Sequence, residues 1–236
     1  MFSDPKGKYK ARLNQITVAP SPKHGYIECN IDLEWQDDKD NFIGYTTRTA
    51  FRDKNGHLHI YNDITQIEAK YQGKGVGRNE QERSEQLWRY LSDGHPVHLS
   101  LQANINVGVY AWALKGYDFE EESGLSNAKT ELKSFIEDND MDLEETLNSC
   151  GYNSIDDLQH SWQFASLNTG ILYDAPDIIP KNKFDDELKK KTKKGITLGK
   201  AFMLGGKTAW DAEKILNGGT AHEEIAKLNS KKKNKL

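Results

Sequence analysis

The chain is 236 residues long, with 36% hydrophobic and 29% charged residues and a formal net charge of −4. That length fits one domain with an extension, or two small domains. No apolar run is long enough to cross a bilayer, the N-terminus lacks the apolar core of a secretion signal, and the bulk charge is not that of a nucleic-acid binder.

The two cysteines, Cys29 and Cys150, are far apart and build no disulfide framework, which points to the cytoplasm. The basic runs at 189–194 and 231–235 read as solvated ends.

The first half carries strand patterns. Residues 9–18 form a candidate strand closed by Pro20 and Pro22. Residues 26–35 alternate apolar and polar side chains, and residues 42–51 are rich in aromatic and β-branched types. Asp53-Lys54-Asn55-Gly56 follows as a hairpin signal, because Asn and Gly tolerate positive φ. Residues 58–69 make a further strand on Leu58, Ile60, Ile64 and Ile67.

A glycine loop comes next, from Tyr71 to Arg78, with Gly73, Gly75 and Gly77 at alternate positions. Residues 79–91 read as a helix with Leu87, Trp88 and Leu91 inward, stopped at Ser92-Asp93-Gly94. Backbone N–H groups at such a helix start suit a diphosphate, and Lys74 and Arg78 add positive charge. Residues 97–101 read as a short strand, 106–114 as a second helix closed by Gly116, and 117–120 as another strand.

From there the pattern turns helical, at 126–138, 143–150 and 154–167, with Leu132, Phe135, Ile136, Leu158, Trp162 and Phe164 on apolar faces. Ser154 with Asp157, and Thr220 with Glu223, have capping-box spacing. The proline-containing stretch 173–183 reads as a linker to a helical tail. Ala201 with Gly206-Lys207-Thr208 formally fits a relaxed phosphate loop, but with no strand expected on either side it reads as a helix–turn–helix corner capped by Thr208. His57 and His59 share a strand face without a third ligand at metal spacing. No pattern supports a nucleophilic Ser or Cys.

The run Ile67-x-x-x-x-Gln72-Gly73-Lys74-Gly75-Val76-Gly77 resembles the acetyl-CoA signature of the GCN5-related N-acetyltransferase (GNAT) superfamily. The hairpin before it and the strand, Asn-containing helix and Gly116-Tyr117 after it resemble that family's order, over roughly residues 26–119. The resemblance implies an α/β fold in which antiparallel hairpins lead to a splayed parallel pair, followed here by a helical C-terminal extension. The division expected is a core over residues 1–122 and an extension with a basic tail over 123–236.

The resemblance further implies acetyl-CoA, or another acyl-CoA, held by Ile67, Gln72, Gly73, Lys74, Gly75, Val76, Gly77, Arg78 and Asn106, and acyl transfer to an amine of unstated identity. Asn104 competes with Asn106 for the family's Asn position. Candidate bases are Asp63 and Glu68, then Glu28. The family's usual acid position holds Trp112, which leaves Tyr110 as candidate acid. The pair of helices that family members place between their first two strands has no counterpart in residues 19–25. The competing reading is a GNAT-fold module that has lost catalysis and serves binding or assembly.

Overall fold

The computed structural model describes residues 2–3, 9–21, 25–71, 75–103, 107–179, 194–205 and 209–216. The chain divides into two compact units, one of Met1–Leu101 with Lys214–Gly219 and one of Gln102–Glu213 with Thr220–Leu236.

The first unit is built on strands β1 (Phe2–Ser3), β2 (Tyr9–Pro20), β3 (Ile27–Asp37), β4 (Phe42–Arg52), β5 (Leu58–Ile67) and β6 (Val97–Ala103, of which 97–101 belong here). They lie in the order β1-β2-β3-β4-β5-β6, followed by the end of β8 (Trp210–Leu216) from Lys214 on. Pairing is antiparallel from β1 through β5. β5 and β6 are parallel. This is the mixed sheet that the sequence predicts, hairpins leading into one parallel pair.

Local chemistry makes the hairpins. Between β3 and β4, Asp37 Oδ1 accepts the backbone N–H groups of Lys39 and Asn41 at 2.9 and 2.8 Å. Between β4 and β5, Asp53 Oδ1 accepts those of Asn55 and His57 at 2.8 and 3.0 Å, and Gly56 takes φ 83°. Both turns use a carboxylate to satisfy donors that the ladder cannot reach.

Helix α1 (Val76–Leu91) belongs to the same unit. Its buried residues are Val76, Glu80, Gln81 and Trp88. Leu91, placed inward by the sequence pattern, is exposed. The difference is one of position: Leu91 lies on the same side of the helix as Val76 and Glu80 but is its last residue, where the chain leaves the helix. On that same side Arg48 of β4 is fully buried and ion-paired with Glu80.

The second unit holds the end of β6, α2 (Val107–Leu114), β7 (Asp118–Phe119), α3 (Glu122–Asp138), α4 (Leu143–Ser149), α5 (Ser161–Ala165), α6 (Ala175–Ile178), α7 (Leu198–Gly205) and the start of β8. Leu132, Phe135, Ile136, Leu158 and Phe164 are buried as their spacing predicts. Phe164 and Phe135 both meet Phe202 of α7, with ring centroids 6.1 and 5.7 Å apart. Ser154 and Asp157 form the expected capping box. The region 154–167 is not one helix: a 3-10 turn at Ile155–Asp157 and the short α5 replace it.

The stretch after Gly205 departs from the sequence reading. Gly206, Lys207 and Thr208 lie outside the described residues, but from Trp210 the chain is a strand, not the second half of a helical corner. Trp210, Ala212, Lys214 and Leu216 alternate inward. A buried lysine in that row hides the period of two, and it is tolerated because Lys214 Nζ meets Glu85 Oε1 at 2.7 Å. Thr220 and Glu223, the second expected capping box, are outside the described residues.

Candidate functional site

β5 is flanked differently at its two ends. The ladder with β6 pairs residues 58–61 with 97–100, whereas β5 continues to Ile67 and β6 to Ala103. On its other side β5 stays registered with β4 through Gly44 opposite Ile67. The β4 ladder shifts between Thr47 and Arg48, where Ile64 and Asn62 are opposite and Asp63 has no residue facing it. Such a bulge raises local twist, here just past the point where the parallel ladder stops.

After Ile67 the chain makes a 3-10 turn (Ala69–Tyr71) and enters α1 from Gly75. The two sides of the loop are anchored in one apolar cluster. Ala11, Trp35, Ile43 and Val76 form it, with Tyr9, Ile67 and Tyr71 packed against them. Tyr71 also donates its hydroxyl to Asp37 Oδ2 at 3.0 Å. Asp37 is held at about 2 by its hydrogen bonds, that from the Asn41 side chain foremost. Desolvation, then the Asp37 carboxylate, raises the Tyr71 phenol above 10.0. Burying Val76 contributes on the order of 1.5–3 kcal/mol to fixing the helix start.

Gly75 is the N-cap of α1 at φ 84°, a conformation that side chains disfavour, with no described residue within 4 Å of where a Cβ would stand. Among the described residues no side chain caps the helix, and its first turn holds no acidic residue. The helix start therefore presents its positive end without internal neutralisation. Gly77 is small for a packing reason: a Cβ there would lie 3.2 Å from Ile67 Cδ1. Gly44 lets β4 approach β5, since its Cβ would stand 2.1 Å from the Gln66 carbonyl oxygen.

Of the residues expected to hold a cofactor, Ile67, Gly75, Val76, Gly77 and Arg78 are described and lie together around this turn. Val76 points into the core, so only its backbone can face a ligand. Arg78 is exposed and pairs with Glu82 at 2.8 Å. Gln72, Gly73 and Lys74 lie outside the described residues, as do Asn104 and Asn106.

The candidate bases differ. Glu68 pairs with Lys70 at 2.9 Å, which leaves its carboxylate committed to a surface cation. Asp63 accepts from Thr49 Oγ1 at 2.9 Å, and the same hydroxyl lies 2.8 Å from Asn30 Oδ1. One hydroxyl proton serves one acceptor at a time. Desolvation by its neighbours, then the Asp32 and Glu28 carboxylates, lifts Asp63 above the ordinary 3.8 even though its side chain is exposed, against the lowering effect of Thr49. A carboxyl tuned upward accepts a proton more readily near neutral pH.

Tyr110 belongs to the second unit, on α2. Burial raises its phenol above 10.0, so it keeps its proton at neutral pH. Lys200 Nζ stands 6.0 Å from its ring centroid. Trp112 meets Tyr117 edge-on at 5.1 Å and carries Lys115 over its ring at 4.7 Å, which gives it a packing role.

Sequence reasoning missed two features of the first unit. Arg48 binds Asn62 through Nε at 2.7 Å, Ser84 through Nη1 at 3.0 Å and Glu80 through Nη2, so a buried cation ties β4, β5 and α1 together. Its signal was weak: an Arg in step with Gly44, Thr46 and Ala50, on a strand whose other face carries the buried Ile43 and Phe51. The second is a ring stack. Phe51 and His59 lie 4.7 Å apart, as do His59 and His98, and His57 joins His98 at 5.7 Å. Among the described residues, no group of His, Cys, Asp and Glu has the geometry to hold a metal ion.

Neither a family model nor a curated protein matches the chain. Solved acetyltransferase structures are similar to part of it. One is Arabidopsis thaliana Naa50 in complex with the bisubstrate analogue CoA-Ac-MVNAL, at 16% identity and a TM-score of 0.33, covering 38% of this chain and 58% of that one. A second is nourseothricin acetyltransferase, at 11% and 0.34, covering 48% of this chain and 85% of that one. A third is ribosomal-protein-S5-alanine acetyltransferase from Vibrio fischeri, at 17% and 0.31, covering 39% and 50%. The chain thus spans 58% of the length of the Naa50 chain and half of the Vibrio fischeri one, and the likeness concerns a segment of the fold.

Proposed function

We propose that the chain is an acyltransferase that moves an acetyl or related acyl group from an acyl-CoA to an amine. The observation that carries this reading is the turn from β5 into α1. Gly75 opens a sixteen-residue helix with no side-chain cap and no acid in the first turn, next to Arg78 and, in sequence, Lys74. Such a start attracts a diphosphate. It follows a strand that runs on past the end of its parallel ladder.

The residues fit an acyl-CoA. No described residue stands within 4 Å of where a Cβ of Gly75 would be, the backbone N–H groups from Val76 on face no acidic side chain of the first turn, and the β5 backbone from Asp63 to Ile67 offers an extended run for pairing with amides. Acyl-CoA, when bound, supplies an activated thioester. The chain's own residues orient and neutralise charge: the helix start and Arg78 hold negative oxygens, and Ile67 and Val76 fix the turn by packing. Asp63 receives the proton that an ammonium or amine acceptor must lose, helped by its raised pKa. Glu68, paired with Lys70, is the lesser candidate. Tyr110, which keeps its proton at neutral pH, is the proposed acid.

Calorimetric titration with acetyl-CoA tests the reading, followed by thiol release in the presence of a panel of primary amines. Binding in the micromolar range with amine-dependent thiol release is expected. No heat up to about millimolar ligand, a free energy near −4 kcal/mol, overturns it.

A further inference from the structure

The outer edge of β2 carries a second surface, away from the turn into α1. β1 covers only Lys10 and Ala11, which face Ser3 and Phe2. From Arg12 to Pro20 all nine residues are exposed, and no strand lies on that edge among the described residues. Natural sheets protect such an edge with charges, prolines or bulges. Here the ladder shift between Leu13 and Gln15 and the terminal Pro20 bound an unprotected stretch, Gln15-Ile16-Thr17-Val18-Ala19, with no charged residue.

The stretch is also apolar on one face. Leu13 stands opposite Leu33, Ile16 opposite Ile31 and Val18 opposite Cys29. Leu13, Ile16, Val18 and Ile27 are 51, 51, 63 and 69% exposed. A contiguous exposed apolar strip beside an open strand edge marks an interaction surface.

We infer that this edge pairs with the same edge of a second copy of the chain, antiparallel about a two-fold axis through Thr17. The unsatisfied groups of a strand edge are met by another strand. Self-pairing in this register sets Ile16 against Val18 twice, on one face, and Gln15 against Ala19. No charge opposes a like charge within the stretch, so a second copy meets it there without repulsion. A five-residue pairing buries less than the roughly 1,200 Å² of a standard interface, so the dimer is a weak one.

Sedimentation equilibrium of the full chain, from about 1 to about 200 μM, tests this across the range of a weak interface. The expected mass rises from 26.8 kDa toward twice that value. Ile16→Lys and Val18→Lys hold it at one chain throughout. Ile171→Lys, at an apolar residue 61% exposed on the other unit, leaves the association unchanged. A parent chain that stays monomeric, a dimer that survives Ile16→Lys, or one lost equally in Ile171→Lys overturns the inference. If the lysine variants fail to fold, Thr17→Cys decides. Facing cysteines on an antiparallel pair come within disulfide reach. Oxidation must then give more linked dimer than the parent chain, with its Cys29 and Cys150, and no excess overturns the proposal.

Discussion

Arg48 of β4 donates through Nη2 to Glu80 Oε1 of α1, and both side chains are 2% exposed. Further hydrogen bonds hold the pair: Arg48 Nε to Asn62, Nη1 to Ser84, and the Ser84 hydroxyl to the same Glu80 oxygen at 2.8 Å. It bolts the helix after the turn to the strands before it. Glu80→Ala leaves a buried guanidinium uncompensated and should destabilise the first unit by about 3–5 kcal/mol. Arg48→Met with Glu80→Leu should lose distinctly less. Urea denaturation of both variants checks this, and equal losses would show that packing, not charge, sets the penalty.

Gly75 separates charge from backbone strain. Gly75→Asn and Gly75→Asp both put a side chain at φ 84°, and Asn and Asp share some tolerance of that region. Only Asp adds a negative charge at the helix start. Acetyl-CoA affinity should fall at least tenfold, about 1.4 kcal/mol, in Gly75→Asp relative to Gly75→Asn. Equal affinities by calorimetry would remove this helix start from the ligand.

Asp63 gives a pH dependence of known sign. Its pKa is raised in the folded chain, first by desolvation and then by Asp32 and Glu28. Between the ordinary 3.8 and that raised value the native state holds more protons than the unfolded one, so stability falls as pH rises through the window. Asp63→Asn should flatten that fall and stabilise the chain at neutral pH, by less than about 1 kcal/mol because solvent screens the group. The same variant should lower turnover roughly a hundredfold and remove the acidic limb of the pH–rate profile. An unchanged profile would assign the base elsewhere.

Tyr110→Phe removes one hydroxyl with little change in volume. Turnover should fall roughly a hundredfold while acetyl-CoA affinity stays the same, the pattern of an acid that acts only on the reacting groups. Full turnover in the variant would mean that solvent or another group supplies the proton.

The local half of this molecule is legible in its residues. Asp53 and Gly56 specify their turn through hydrogen bonds and a positive φ within a few positions, and the strand patterns at 26–35, 42–51 and 58–69 mark β3, β4 and β5. The turn at Gly75 could be recognised from the alternate glycines before a helix pattern, since glycine tolerates the positive φ that such a turn takes. What depends on contacts distant in sequence was not legible. β8 was hidden because its inward row contains Lys214, whose burial makes sense only with Glu85, 129 residues away. The inner side of α1 was only partly legible because Glu80 is buried there by Arg48, 32 residues before it, and a helix pattern taken alone puts such a carboxylate outside. Where the β5 ladder ends, which carboxylate is crowded upward in pKa, and which side of β2 lies open are set by register between strands. Register belongs to the assembled sheet, so pairwise packing decided what the one-dimensional pattern left undetermined.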